Sequence, residues 1–232
     1  RNPGAASLAS ASYAVRTTSA PPPATGTVDG VPIITEVLPI DPATGLPTTT
    51  MKIPVIGATR SDDPNSANGN LADIPLGLGE ANGPRTELLV SLPTGTGMEV
   101  EGPAGLLNNA QALLDLIRRI ENKTENGSSV QVDMTGQGSS FLSSLAPNTL
   151  LESKTVVLTA GSSTPQTILI SGTSTTPANG GSNATAIGLV PDATARPSGS
   201  VLQLNNVDFA AINGEATLRG GDGRNYVTGD DA

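Results

Sequence analysis

The segment Gly105-Leu-Leu-Asn-Asn-Ala-Gln-Ala-Leu-Leu-Asp-Leu-Ile-Arg-Arg-Ile-Glu-Asn122 constrains this chain more than any other, because it alone carries a strong helical period. Leu106, Ala110, Leu113, Leu114, Ile117 and Ile120 recur at spacings of three and four and predict one apolar face. Asn108, Asn109, Gln111, Asp115, Arg118 and Arg119 fall on the other. Glu99 and Glu101 precede the segment while Arg118, Arg119 and Lys123 lie near its end, an order that complements the helix dipole. Pro103 suits a first helical turn and Gly127 a stop, so one amphipathic helix is expected at about residues 104–123. A lone helix of that length is marginal in water; its greasy face requires a sheet to cover.

The remainder reads as strand and turn. Val31–Leu38 and Thr49–Ile56 form an expected hairpin around the turn-rich Asp41–Pro47, and Pro32, Pro39 and Pro54 favour edges or strand ends because proline lacks the ladder donor. Short strands are expected at 72–76, 86–92, 97–101, 129–134, 141–145, 153–159, 166–171, 184–190, 200–204, 207–212 and 216–219. The expected class is therefore mainly β, α+β in strict terms, with β-sandwich-like layers of short strands and the single helix. Residues 1–25 read as an extended N-terminal arm in which Leu8, Ala11, Tyr13 and Val15 would supply an assembly strand. Residues 26–150 then make a β-rich domain with the helix, and 151–232 a second β module.

Composition excludes more than it assigns. With 12 Lys and Arg against 21 Asp and Glu and no basic cluster, nucleic acid is an unsuitable partner. The chain holds no Cys and no His, which removes disulfides, thiolate metal sites and the commonest general base. Trp is also absent and aromatics amount to 2%. No apolar run is long enough for a transmembrane helix. The chain opens on Arg1, which suggests a processed piece of something longer.

Candidate catalytic motifs weaken under the same scrutiny. Ser153-Lys154 puts adjacent side chains on opposite faces of a strand, and no His completes a triad around any Ser. Glu99 and Glu101 share a strand face in the manner of a glycosidase pair, but with no aromatic residue beside them they read as a solvated face. Asp62, Asp63 and Asn65 cluster in a loop without the spacing of a recognised Ca²⁺ site. No enzyme is expected.

The final segment is more informative. Gly220-Gly-Asp-Gly-Arg-Asn-Tyr-Val-Thr228 fits the nonapeptide Gly-Gly-x-Gly-x-Asp-x-U-x with Asn225 at the Asp position, and Gly229-Asp230 opens what reads as another turn. The run Val201–Asp231 resembles the start of the calcium-binding repeat region of large secreted RTX-like bacterial surface proteins. Asn70–Leu76, Leu114–Ile120 and Gly138–Leu145 resemble the portion N-terminal to it. The resemblance implies export, a secreted or cell-surface location, and Ca²⁺ as the candidate cofactor, with Asp222, Asn225, Asp230 and Asp231 as its ligands. Together with the arm, it leads to a structural subunit of an extracellular filament, sheath or surface layer, whose partners are copies of itself joined by β-strand addition. The alternative is an adhesin module on a calcium-dependent repeat stalk, with a surface glycan or host molecule as ligand.

Overall fold

The computed structural model describes residues 24–77, 85–173, 184–221 and 226–229. In chain order its strands are β1 (Ala24–Val28), β2 (Val31–Ile40), β3 (Pro47–Ile53), β4 (Ala72–Gly77), β5 (Arg85–Leu92) and β6 (Thr96–Pro103). Helices α1 (Asn109–Lys123) and α2 (Ser129–Ser144) follow. Then come β7 (Leu150–Ala160), β8 (Thr167–Gly172), β9 (Thr185–Asp192), β10 (Val201–Asn205), β11 (Phe209–Ile212), β12 (Thr217–Gly220) and β13 (Tyr226–Gly229).

These form two mixed sheets, β1-β2-β3-β6-β7-β9-β11-β13 and β12-β10-β8-β5-β4, so the protein is mainly β. Both sheets combine strands from either side of residue 150. Up to β7 the first sheet is antiparallel; β7, β9, β11 and β13 are parallel. The second sheet changes in the same way, with β4, β5 and β8 antiparallel and β8, β10 and β12 parallel. From β8 onward the chain alternates between sheets, one strand in each, which makes a two-strand coil. Val201 of β10 pairs with Thr217 of β12, sixteen residues on, and Phe209 of β11 with Tyr226 of β13, seventeen on.

An aliphatic core fills the space between the sheets, including Ile74, Val90, Met98, Val156, Ile170, Leu189, Leu204 and Ile212. A second core lies between the helices and the outer face of the eight-stranded sheet, with Leu116, Ile120, Met134, Phe141, Leu151 and Phe209 at its centre. Phe141 of α2 stacks on Phe209 of β11 with ring centroids 5.1 Å apart, so half of the chain's four aromatic rings sit in one contact.

The helical layer corrects three expectations. The helix begins at Asn109 rather than near 104, because Asn108 is its N-cap: the Asn108 Oδ1 accepts from the Ala110 and Gln111 amides, and Gln111 Oε1 accepts from the Asn108 amide. Pro103 instead ends β6.

Its buried face is also not the expected one. Ile120 is buried, but Leu113 and Leu114 are 46% and 57% exposed, while Asp115 and Arg119 are 0% and 5% exposed. Arg119 clasps the Asp115 carboxylate through Nε (2.7 Å) and Nη2 (3.1 Å), and its Nη1 donates to the Glu101 carbonyl and Thr155 Oγ1. A charge pair satisfied this fully can enter a core beside Ala112 and Leu116, which a rule that turns charges outward does not anticipate.

The third correction is α2, which occupies the two stretches expected as strands at 129–134 and 141–145. Ser128 caps it by accepting from the Gln131 amide, and the hydroxyls of Thr135, Ser139, Ser140 and Ser143 donate to carbonyls four residues back. Met134, Gly138, Phe141 and Leu142 form its buried stripe. A Cβ on Gly138 would lie 3.1 Å from Ile120 Cδ1, so a glycine there lets the two helices approach.

The Asp115–Arg119 pair yields a direct test. Asp115→Ala leaves a buried guanidinium without its counter-charge and is expected to cost about 3–5 kcal/mol in denaturant unfolding. The double change Asp115→Leu with Arg119→Met should recover most of that loss; a single-variant cost near zero would mean that the pair does not orient the helix.

Candidate functional site

The two ends of the sandwich differ. At the N-terminal edges Asp29-Gly30 makes a two-residue hairpin turn between β1 and β2, with φ of 46° and 69°. Its carboxylate reaches across to the other sheet. Asp29 Oδ1 accepts from Arg60 Nη1 (2.8 Å) and the Asp63 amide (2.7 Å), and Oδ2 accepts from the Asp73 amide of β4 (2.9 Å). Asp73 in turn binds the Asn68 amide at 2.6 Å and the Ser91 hydroxyl. Edge strand β4 carries Pro75 and a register shift between Pro75 and Gly77, both of which blunt an edge. This end is closed by a polar clasp.

The other end is open. β13 and β12 are the last strands of their sheets, each with one neighbour among the described residues, and both come from the last described turn of the coil. Val227 pairs with the inward-facing Ala210 and Leu218 with Leu202, so both stand in the rows that fill the inter-sheet core. With no further strand over them among the described residues, Val227 is 41% exposed and Leu218 only half-buried. A hollow of about 650 Å³ at this end is lined by Ile212, Gly214, Ala216, Leu218 and Val227, among others. Gly214 has φ of 91°, and a Cβ there would come within 2.6 Å of the Thr194 amide nitrogen, so the turn after β11 stacks on the turn after β9 without room for a side chain. Such an end presents two parallel rows of backbone donors and acceptors beside apolar side chains, which is the chemistry of strand addition.

A second concavity, also about 650 Å³, runs along α1 where the helices stop short of β3 and β6. Asp41, Glu99, Glu101, Arg118, Asn122 and Lys123 are among its lining residues. Its cations are matched by acids: Arg118 pairs with Asp41 and, at 3.1 Å, with Asp115; Arg119 pairs with Asp115 at 2.7 Å; Lys123 pairs with Asp192 at 3.1 Å. The hydrogen bond from Arg118 holds the Asp41 carboxyl below its ordinary range, and that contact raises the Arg118 guanidinium. The cleft can hydrogen-bond a polar ligand.

The sequence candidates fall as follows. Asp222, Asn225, Asp230 and Asp231, and the arm residues Leu8, Ala11, Tyr13 and Val15, lie outside the described residues. Glu99 and Glu101 sit half-exposed on β6 and face Lys52 and Arg119. Ser153 and Lys154 are neighbours on β7, and the Lys154 ammonium donates to the Pro103 carbonyl at 3.0 Å and pairs with Glu152 at 3.2 Å. Asp62 pairs with Arg60, and Asp63 accepts from the Asn65 amide in a local turn; among the described residues no acidic cluster is placed to hold a metal ion. The open end, with Leu218 and Val227, was missed. Its signal was the offset of sixteen to seventeen residues that relates Val201-Leu-Gln-Leu to Thr217-Leu-Arg-Gly and Phe209-Ala-Ala-Ile to Tyr226-Val-Thr-Gly.

The clasp makes acid stability predictable. Burial alone would raise the Asp29 carboxyl, but the amides of Asp73 and Asp63 and the Arg60 guanidinium outweigh it and lower the group below its usual value. The unfolded chain then binds the proton more readily, so the Asp29 contribution is complete above about pH 5 and is lost as pH falls through the folded value, below about 4. Asp29→Asn should lower stability at pH 7 and flatten the stability–pH curve below about pH 5; an unchanged slope there would remove Asp29 from the clasp. Comparison of the chain with protein-family models, curated proteins and solved structures gives no match.

Proposed function

We propose that this chain is a structural subunit of an extracellular bacterial filament, sheath or surface layer that grows by β-strand addition. The observation carrying the reading is the open end of the coil, where β12 and β13 leave two neighbouring parallel edges beside the half-exposed Leu218 and Val227. The clasped opposite end supports it further, because one blunted and one open end give a subunit a direction. The resemblance to the start of an RTX-like repeat region is supported by a parallel coil that begins near residue 167 with pairing offsets of 34 and 21 residues and tightens to sixteen and seventeen residues in its last turn. Export and a cell-surface location follow from that same reading.

A second reading is an adhesin module on a calcium-dependent stalk. The polar cleft beside α1 favours it, since its Arg118, Asn122 and Glu101 side chains offer donors and acceptors to a hydroxyl-rich ligand.

Electron microscopy and light scattering of the full chain, with and without Ca²⁺, separate the two. Ordered polymers are expected, and Leu218→Lys with Val227→Lys should leave a folded monomer that no longer polymerises. A monodisperse protein at all concentrations, in both conditions, would overturn the structural reading and favour the adhesin.

A further inference from the structure

Arg196 stands apart from the other buried cations. It lies in the loop between β9 and β10 and is 8% exposed. Its Nη1 donates to the Thr159 carbonyl at 3.0 Å and to Thr96 Oγ1 at 3.4 Å, whereas Nε and Nη2 are buried with no hydrogen-bond partner. No carboxylate pairs with it among the described residues, while Arg119 has Asp115, Arg60 has Asp29 and Lys154 has Glu152. A buried charge without counter-charge or full hydrogen bonding is strongly unfavourable, and each such group requires a physical reason.

The orphaned atoms are not a random pair. Nε and Nη2 form the side-on fork of the guanidinium, two parallel N–H groups spaced to meet two oxygens of one planar anion. Arg119 uses this same fork on the Asp115 carboxylate, at 2.7 and 3.1 Å. In Arg196 the same fork meets no carboxylate among the described residues.

We propose that the Nε–Nη2 edge of Arg196 is a receptor for a small oxyanion, best matched by a carboxylate. Water could accept one of the two bonds but would leave the charge unneutralised. Burial lowers the Arg196 guanidinium below its ordinary value, as expected for a cation awaiting its counter-charge. Access runs through the loop itself. Its ends are tied where the Ala193 amide donates to the Asn213 carbonyl and the Thr217 amide to the Ser200 carbonyl. Between those ties the described residues 194–199 make no hydrogen bond to another element except through Arg196. Thr194, Ala195, Ser198 and Gly199 are exposed, so a local opening of the loop, against its packing on Gly214, would admit a formate- or acetate-sized ion.

The test is thermal unfolding of the full chain at constant ionic strength, titrated with sodium formate, acetate or phosphate against sodium chloride. The wild type should show a saturable rise in Tm with the carboxylates. Arg196→Lys keeps the charge but loses the fork, and should weaken the apparent affinity by at least about tenfold. Arg196→Met should be indifferent to oxyanions, and should melt no lower than the wild type in chloride because it removes an uncompensated charge. A response that does not saturate, or that is equal in the wild type and Arg196→Lys, is a general salt effect and overturns the proposal. A response to phosphate alone overturns the carboxylate assignment. Should the variants fail to fold, the Arg196 Nε–H resonance of the wild type decides, since it must move on addition of formate and an unmoved signal overturns the site.

Discussion

Strand β7 pairs antiparallel with β6 along one edge and parallel with β9 along the other, and in the second sheet β8 does the same between β5 and β10. The rest of the molecule depends on this double change of direction. Parallel neighbours cannot be joined by a hairpin, so each needs a crossover. Here each crossover passes through the opposite sheet, which is why strands after β8 alternate between layers and why the chain coils. The antiparallel half then acts toward the coil as a capping unit acts toward a solenoid: it covers one end of the aliphatic core with edges that are clasped and proline-bearing.

Charge is used sparingly, and several of its pairs are buried. Asp115–Arg119 orients α1 on the sheet, Asp29–Arg60 fastens the closed end, and Glu152–Lys154 sits inside the sandwich beside the Pro103 carbonyl. A core of Val, Ile, Leu and Ala with few rings offers little shape to distinguish one packing from another. Matched buried pairs can supply that distinction at some cost in desolvation. Arg196 extends the pattern with its fork unmatched, which makes it the position where the internal logic of the fold points to something outside the chain.

The strand content was legible because alternation and turn residues are local signals; β2, β3, β5, β8 and β10 lie close to where Val, Ile and Leu alternate between Gly and Pro. Helix α2 was not. Its Val130-Gln-Val-Asp sequence and two internal glycines carry a weak strand signal, and the opposing stripe Met134-Gly138-Phe141-Leu142 becomes decisive only once Phe209 and Ile120 are there to receive it. The exposed Leu113 and Leu114 show the converse error, because a sound periodic face was identified and the fold buried its Ile120 but turned these two leucines outward.

What the sequence determined by itself was a thin aliphatic β protein with a helix against it, acidic and without His or Cys. These are sums over local preferences and survive any packing. Only the tertiary structure decided that Asp115 and Arg119 face inward, that the Asp29 carboxylate joins two sheets, that the strands change from antiparallel to parallel at β7 and β8, and that Leu218 and Val227 end in the open. Each of these depends on a partner distant in sequence, across 44 residues in the case of Asp29 and Asp73. No local period records such a partner.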